Sequence, residues 1–149
     1  MIKKFELDLS TKIKVFGIEL FRVKALISFG DVKKGELGGY VEKEENLSDY
    51  GNAWVYGNAR VYGDAEVYGN ARVYGNARVS KINDYIVFKN NWSSGRYFTY
   101  TRSNKMWCVG CFYGTGEELV KKAYQDSEDS GKHYEAYVNL VKTLEELDN

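Results

Sequence analysis

Hydrophobic and polar positions recur every six residues between residues 50 and 79, in the stretch YGNAWVYGNARVYGDAEVYGNARVYGNARV. Each hexad contains an alanine followed two residues later by a valine, and residues two apart in an extended chain point to the same side. Each Ala-x-Val is therefore expected to enter one shared interior. The alanines are Ala53, Ala59, Ala65, Ala71 and Ala77, and the valines are Val55, Val61, Val67, Val73 and Val79.

The Tyr-Gly-Asn between successive pairs supplies a bend, because glycine adopts any backbone region and asparagine tolerates a left-handed φ. A bend every six residues predicts a stack with three flat sides, in which three hexads make one coil and residues 18 apart lie over one another. The same phase extends back to Leu47 and Val41 at the alanine position, so the stack is expected to begin near Gly38. The expected stacked pairs are Trp54 with Arg72, Arg60 with Arg78, Tyr50 with Tyr68, and Tyr56 with Tyr74.

Different patterns flank the repeat. Before it, apolar residues alternate with polar ones on both sides of Phe16-Gly17, which predicts a β-hairpin. After it, the runs DYIVFKN, RYFTYTR and MWCVGCF predict three strands joined by short turns. Thr115 and Glu118 match a capping box that opens a helix. SEDSG is expected to end that helix, and apolar residues at three- and four-residue spacing over 134–147 predict a second one.

The repeat resembles the hexapeptide repeats of left-handed parallel β-helices, and this resemblance implies a mainly β fold. The expected organisation is an N-terminal β-hairpin and lead-in over residues 1–37, then a short left-handed β-helix over 38–82. A three-stranded antiparallel meander and two α-helices over 83–149 complete the chain. About two and a half coils are short for units that cannot bury their faces alone, so the flanking parts are expected to cap the stack.

Composition excludes several classes of partner. The chain has 149 residues, of which 21 are basic and 21 acidic, so its net charge gives no general attraction to nucleic acid or to an anionic membrane. No stretch approaches the ~20 apolar residues of a membrane span, and MIKKFELDLS lacks the apolar core of a signal peptide. With only two cysteines, the chain is expected to be cytoplasmic, without a membrane or sequence-specific nucleic-acid partner.

Two cysteines form the sharpest chemical motif. Trp107-Cys108-Val109-Gly110-Cys111 is similar to a thioredoxin-like WCxxC, but these cysteines fall in a predicted strand and not at the start of a helix. That position favours a structural role, and a redox role stays open. One CxxC and a single histidine are too few ligands for a structural zinc site, so no metal site is predicted.

His133 is the only histidine, predicted in the first turn of the last helix. Many acyltransferases built on hexapeptide coils use a histidine as general base, and no histidine lies in or near this repeat. The glycine-rich stretch 110–116 lacks the Lys-Ser/Thr of a phosphate-binding loop and is expected to be a turn and a helix cap. No catalytic residue or cofactor is therefore predicted, and the chain is expected not to be an enzyme.

The outward position before each valine carries Trp54, Arg60, Glu66, Arg72 and Arg78. Tryptophan and arginine often anchor protein interfaces, and stacked arginines repel one another unless an anion or a partner carboxylate lies nearby. These five outward residues are called the ladder below. One interpretation is that they form a protein interface, and the other is that they form a solvated wall of the repeat. The predicted partner-binding residues are Trp54, Arg60, Arg72 and Arg78, with Tyr50, Tyr56, Tyr62, Tyr68 and Tyr74 along the edge.

The run GDVKKGELGGYVEKEENLSDYGNAWVYGNARVYG, together with GCFYGTGEELVKKAY, resembles small uncharacterised hexapeptide-repeat proteins encoded by bacteriophages and prophages. This resemblance implies a viral accessory protein that acts inside a bacterium. The expected function is a non-enzymatic homo-oligomer that binds and inhibits a host anti-phage defence protein, as an anti-CRISPR or similar anti-defence factor. Two alternatives stay open: sequestration of a nucleotide signal by arginines and tyrosines, and a structural part of the phage or its assembly.

Overall fold

The computed structural model describes residues 3–148, so Met1, Ile2 and Asn149, the ends of the expected outer segments, lie outside the described residues. The described chain folds into short strands and two C-terminal helices. The elements are β1 (Phe5–Val15), β2 (Ile18–Ala25), β3 (Leu37–Val41), β4 (Trp54–Val55), β5 (Arg60–Val61), β6 (Arg72–Val73), β7 (Arg78–Val79), β8 (Tyr85–Lys89), β9 (Tyr97–Thr101), β10 (Met106–Val109), β11 (Phe112–Thr115), α1 (Gly116–Asp126) and α2 (Glu128–Asp148).

The expected fold class, a mainly β chain built on a single left-handed β-helix, is wrong. The fold is mixed α/β, and its strands are spread over separate sheets. One sheet has the order β1-β2-β3-β5-β7, another is antiparallel with the order β11-β10-β9-β8, and β4 pairs with β6 alone. The physical reason is that the N-terminal hairpin does not stand apart. Strand β2 pairs antiparallel with β3 and β3 pairs parallel with β5, so the hairpin and the repeat share one mixed sheet.

Within the repeat, the predicted spacing and the predicted interior are confirmed. Trp54 pairs in parallel with Arg72, and Arg60 pairs with Arg78. Every alanine and valine of the five hexads is at most 3% exposed. The bend is made differently from the prediction, because only the glycine of each hexad has a left-handed φ, of 58 to 71°. The asparagines of the bend are not needed for that conformation.

The first coil is longer than the sequence phase predicts. Val41 pairs with Val61 and Leu47 with Val67, a spacing of 20 residues, so both occupy the valine position and not the alanine position. Val41 and Leu47 keep the six-residue spacing across a single turn of 3₁₀ helix, Glu44–Asn46. The two additional residues lie between Leu47 and Val55, which are eight apart, and this is why the hexad phase fails just before the repeat.

Side chains cap the end of the stack that exposes carbonyl groups. Within the repeat, N–H groups donate forward to the next coil, as from Trp54 to the carbonyl oxygen of Ala71 at 3.1 Å. The first three hexads therefore present carbonyls that need donors from outside the repeat. Backbone N–H groups of Tyr40, Glu42 and Ser48 serve some of them. Three side chains serve others: Lys4 Nζ donates to Ala53 O (2.7 Å), Arg22 Nη1 to Gly57 O (2.9 Å) and Asn46 Nδ2 to Ala65 O (2.8 Å).

The opposite end of the stack exposes N–H groups, and the C-terminal part supplies acceptors for them. The N–H of Arg72 donates to Thr99 Oγ1 at 3.0 Å, and the N–H of Arg78 donates to Ser103 Oγ at 2.7 Å. Both acceptors belong to strand β9 or the turn that follows it. These contacts confirm the prediction that the C-terminal part caps the repeat.

The C-terminal part has a second hydrophobic core, in which α1 and α2 pack on the four-stranded sheet around Phe98, Trp107 and Val138. The predicted capping box is confirmed: the N–H of Glu118 donates to Thr115 Oγ1 at 3.2 Å. Two expectations are wrong. The meander has a fourth strand, β11, and α2 begins at Glu128, inside the expected break. Between residues 3 and 148, no helix is both long and apolar enough to cross a membrane.

Lys4 makes the stability of the fold depend on pH. It is 1% exposed, and burial lowers the pKa of its ammonium to about 8, against the opposing charge of Asp49. A lysine in the unfolded chain titrates near 10.5. Between about pH 8 and pH 10.5 the unfolded state therefore binds more protons, and the stability that depends on Lys4 rises with pH.

We expect the free energy of unfolding of the wild type to increase relative to that of Lys4→Met when the pH rises from about 7.5 to about 9.5. Urea denaturation of both proteins at each pH measures the difference. Cys108 and the tyrosines titrate in both proteins, so their contributions cancel in it. A difference that stays constant over this pH range would contradict a buried, titrating Lys4.

Candidate binding surface

Trp54 does not lie on the surface, contrary to its predicted outward position. It is fully buried, because residues of the lead-in segment cover its face of the repeat. The ring of Phe29 packs edge-on against it at 5.3 Å between centroids, and Gly38 lies so close that a Cβ there would collide with the indole. In this structure Trp54 is a core residue and is not accessible to a partner.

The remaining ladder residues are distributed over three faces of the repeat. Arg60 and Arg78 lie on the five-stranded sheet, Arg72 lies on the two-stranded sheet, and Glu66 precedes the bridge residue Val67 on the third face. Because three hexads complete a coil, consecutive hexads point in different directions. The predicted residues therefore cannot form one continuous surface.

The strand register places arginines in a row across the outer face of the five-stranded sheet. Arg22 on β2 lies opposite Tyr40 on β3, Tyr40 lies opposite Arg60 on β5, and Arg60 lies opposite Arg78 on β7. Neighbouring strands lie about 4.8 Å apart. Arg22 is already engaged, since its guanidinium stacks over Tyr40 at 4.4 Å and donates to Asn58 Oδ1 at 3.1 Å.

Arg60 and Arg78, called the arginine pair below, are different. Neither guanidinium has a hydrogen bond or an ion pair with any of the described residues, 3–148. Two unit charges about 5 Å apart in water repel by about 0.8 kcal/mol, and less in salt. An anion that contacts both groups would remove this repulsion and gain charge-assisted hydrogen bonds.

An apolar cleft borders the arginine pair on one side. It holds about 20 Å³, and Ile18, Leu20 and Tyr62 line it together with the hairpin turn. Phe16, in that turn, is 90% exposed and has a φ of 50°. A left-handed φ is unfavourable for phenylalanine, and asparagine is the usual residue there. An exposed aromatic held in a strained conformation next to unpaired arginines points to an interaction surface.

A polar groove of about 460 Å³ borders the pair on its other side. Its lining residues beyond the arginines are Asn58, Asn76, Ser103 and Asn104. Asn104 donates to Asn76 Oδ1 at 3.2 Å, which joins the C-terminal part to the repeat at this groove. The arginine pair therefore lies between apolar and hydrogen-bonding surfaces, as the anchors of protein interfaces do.

Arg72 has a structural role in a second groove. Its guanidinium donates to Asp31 Oδ2 at 2.8 Å, to the carbonyl of Gly110 at 3.0 Å and to the hydroxyl of Tyr74 at 3.0 Å. Tyr56 donates to Asp31 Oδ1 at 2.7 Å and stacks on Tyr74 at 4.0 Å. These bonds tie the lead-in loop, the repeat and the β10–β11 turn together.

The other predicted edge tyrosines occupy separate environments. Tyr62 lines the apolar cleft beside the arginine pair. Tyr68 is 53% exposed and contacts the ring of Tyr85 edge-on, with 6.4 Å between centroids. Tyr50 is 71% exposed. Of the predicted tyrosines, Tyr62 alone lines the cleft that borders the arginine pair.

The cysteines are both free thiols. Cys108 lies on β10, where burial raises the pKa of its thiol to about 11, while Arg72 opposes the shift. Cys111 lies in the β10–β11 turn and not in the predicted strand. Burial therefore keeps the thiol of Cys108 in its protonated, poorly nucleophilic form near neutral pH.

His133 lies in the second turn of α2, one turn later than predicted, because the helix begins earlier. Its ring stacks on Trp92 at 4.0 Å between centroids, and Nδ1 lies 2.8 Å from the carbonyl oxygen of Asp129. Within residues 3–148, no three His, Cys, Asp or Glu side chains are grouped so that they could hold a metal ion.

Several surface and groove residues were not predicted from the sequence: Phe16, Arg22, Tyr40, Asp31 and Arg96. The sequence contained one clue to Phe16, since Phe-Gly is an unusual pair for a two-residue hairpin turn, where Asn-Gly is common. The others had none, because their positions depend on strand register and on the path of the lead-in loop.

No protein-family model matches the chain. No curated protein matches it either. The resemblance to phage and prophage hexapeptide-repeat proteins therefore stays a prediction from the sequence, and the chemistry of the surface is the basis for assigning a function.

Proposed function

We propose that the protein is a non-enzymatic binding module that contacts a partner protein through the arginine pair. The partner offers carboxylates to Arg60 and Arg78 and apolar side chains to Phe16 and Tyr62. In the setting implied by the phage resemblance, the partner is a host defence protein, and direct binding inhibits it. The observation that carries this proposal is the absence of any counter-charge for the arginine pair within the described range, 3–148.

The residue types at this surface support a protein partner over a simple anion. Phe16, Tyr62 and the arginine pair combine apolar area with planar donors, which is the composition enriched at interface centres. A small anion would use the arginines and the neighbouring amides but would leave Phe16 in water. Holding Phe16 exposed and at a positive φ costs free energy, and burial of its ring by a partner would explain why the chain keeps this conformation.

Charge reversal at the arginine pair tests the proposal. Native mass spectrometry of the tagged protein, recovered gently from its bacterial host, first identifies a stoichiometric partner and the number of subunits. We expect Arg60→Glu with Arg78→Glu to raise the Kd for that partner by at least about 100-fold, equivalent to about 2.7 kcal/mol, because each reversal places a carboxylate against an acidic surface. Calorimetric titration with the purified partner measures the change.

A matched control carries the same change in net charge elsewhere. Lys121→Glu with Lys142→Glu alters two exposed lysines on α1 and α2, and its Kd should stay within about threefold of the wild type, as for charges away from an interface. Phe16→Ser should weaken binding without changing charge. Equal affinity of the wild type and the arginine double variant, or recovery of the protein with no partner, would refute the proposal.

A further inference from the structure

A second groove, independent of the arginine pair, lies between the lead-in loop and the β10–β11 turn. It holds about 700 Å³, within the ~300–1,000 Å³ typical of ligand sites. Tyr56, Arg72 and Tyr74 form part of it, with Asp31 on the side of the lead-in loop and Gly110 on the opposite side. We call it the tyrosine groove.

The charges inside the tyrosine groove leave one cation unpaired. The carboxylate of Asp31 accepts hydrogen bonds from both Arg72 and Tyr56, so it is neutralised within the protein. Cys108, whose thiol pKa burial raises, adds no negative charge near neutral pH. Arg96 also lines the groove, and its guanidinium has no hydrogen bond or ion pair with the rest of the described chain. The groove therefore favours an anionic ligand.

The β10–β11 turn, which lies opposite Arg96, positions this arginine to bind an anion. Gly110 has a φ of 56°, and a Cβ at this position would collide with the Arg96 guanidinium. The absence of a side chain at Gly110 lets the arginine lie against the turn, directly at the groove. Any other residue there would displace it.

Aromatic rings with accessible surface accompany Arg96. Tyr97 is 41% exposed and Tyr113 is 38% exposed, and both line the groove. Each accessible ring can stack on a planar base, which contributes about 1–3 kcal/mol per base at such sites. The side-chain amides of Asn52 and Asn70 line the same groove and supply donors and acceptors for the edge of a base.

We propose that the tyrosine groove binds a nucleoside monophosphate, with Arg96 on the phosphate and Tyr97 or Tyr113 stacked on the base. Arg72 is not proposed as a ligand for the phosphate, because its charge is paired with Asp31 and three of its five N–H donors are used by Asp31, Gly110 and Tyr74. Its role is to hold the two sides of the groove at a fixed separation. This site is separate from the arginine pair, so each can be present without the other.

Isothermal titration of the intact protein with AMP, GMP, CMP and UMP tests the proposal. We expect at least one of them to bind with a Kd below about 1 mM, and its nucleoside alone to bind at least about 10-fold more weakly. Arg96→Gln should raise the Kd of the nucleotide about 10-fold and leave that of the nucleoside unchanged. One of the two variants Tyr97→Leu and Tyr113→Leu should weaken nucleotide and nucleoside equally, because it removes the stacking surface but not the charge.

Two control variants distinguish binding in the tyrosine groove from a general attraction of the nucleotide to positive charge. Lys142→Gln removes an exposed positive charge on α2 and should leave the Kd unchanged, as should Arg60→Glu with Arg78→Glu. If no nucleotide binds at concentrations on the order of 5 mM, the proposal is wrong. It is equally wrong if Arg96→Gln binds the nucleotide as tightly as the wild type.

Discussion

Replacing Trp54 with alanine is expected to lower the free energy of unfolding by about 3–5 kcal/mol, the range for deleting a large buried aromatic side chain. Trp54 is fully buried between the repeat and the lead-in segment, and its removal would leave a cavity beside Phe29 and Gly38. Small domains are stable by only about 5–15 kcal/mol, so this single change removes a large share of the total. Urea denaturation followed by circular dichroism measures it.

Trp54→Phe separates packing from hydrogen bonding at the same position. The indole Nε1 is buried without a hydrogen-bond partner in the described part of the chain, so a phenyl ring loses volume but no hydrogen bond. We expect a cost of about 1–2 kcal/mol. Ile82→Ala, at a side chain that is 84% exposed, should cost less than about 0.5 kcal/mol. A small effect of Trp54→Ala together with lost partner binding would instead restore Trp54 as an interface residue.

Replacing Asn46 with alanine is expected to have the second largest effect, a loss of about 3 kcal/mol, because it removes four hydrogen bonds to the backbone and leaves the buried carbonyl of Ala65 without its donor. Asn46 is fully buried. Its Oδ1 accepts from the N–H groups of Glu42 and Lys43 at 3.2 and 2.9 Å, and its Nδ2 donates to the carbonyls of Gly63 and Ala65 at 3.2 and 2.8 Å. One side chain thus joins the segment before the repeat to the carbonyls of the third hexad.

The control for Asn46 is an asparagine at a regular bend of the repeat. Asn70 is half-buried, and its side chain has no hydrogen bond to the residues that the structure describes, so Asn70→Ala should change stability by less than about 0.5 kcal/mol. Denaturant midpoints of both variants against the wild type give the comparison. Equal costs at the two positions would show that Asn46 acts only through the propensity of its turn.

The interior of the repeat and the start of α1 were predictable because both depend on residues close together in sequence. Val61 and Val79 are buried because alternation in an extended chain sends every second side chain inward, whatever surrounds the coil. Thr115 and Glu118 cap α1 through bonds that span three residues. The pairing of Arg60 with Arg78 followed in the same way, since the repeat carries its own period.

Only the tertiary structure decided which outward residues reach solvent. Trp54 and Arg60 occupy equivalent hexad positions, yet the lead-in segment covers Trp54 and leaves the arginine accessible. That difference arises from contacts between residues far apart in sequence, such as Phe29 with Trp54.

The sequence by itself therefore determined the interior of the repeat, its 18-residue stacking and the juxtaposition of Arg60 with Arg78. The tertiary structure alone decided that the hairpin joins the sheet of the repeat and that Asp31 engages Arg72, leaving Arg96 as the unpaired cation of the tyrosine groove. The physical reason is the range of the forces involved. Periodicity and capping act over a few residues, whereas burial and ion pairing depend on which distant segments the folded chain brings together.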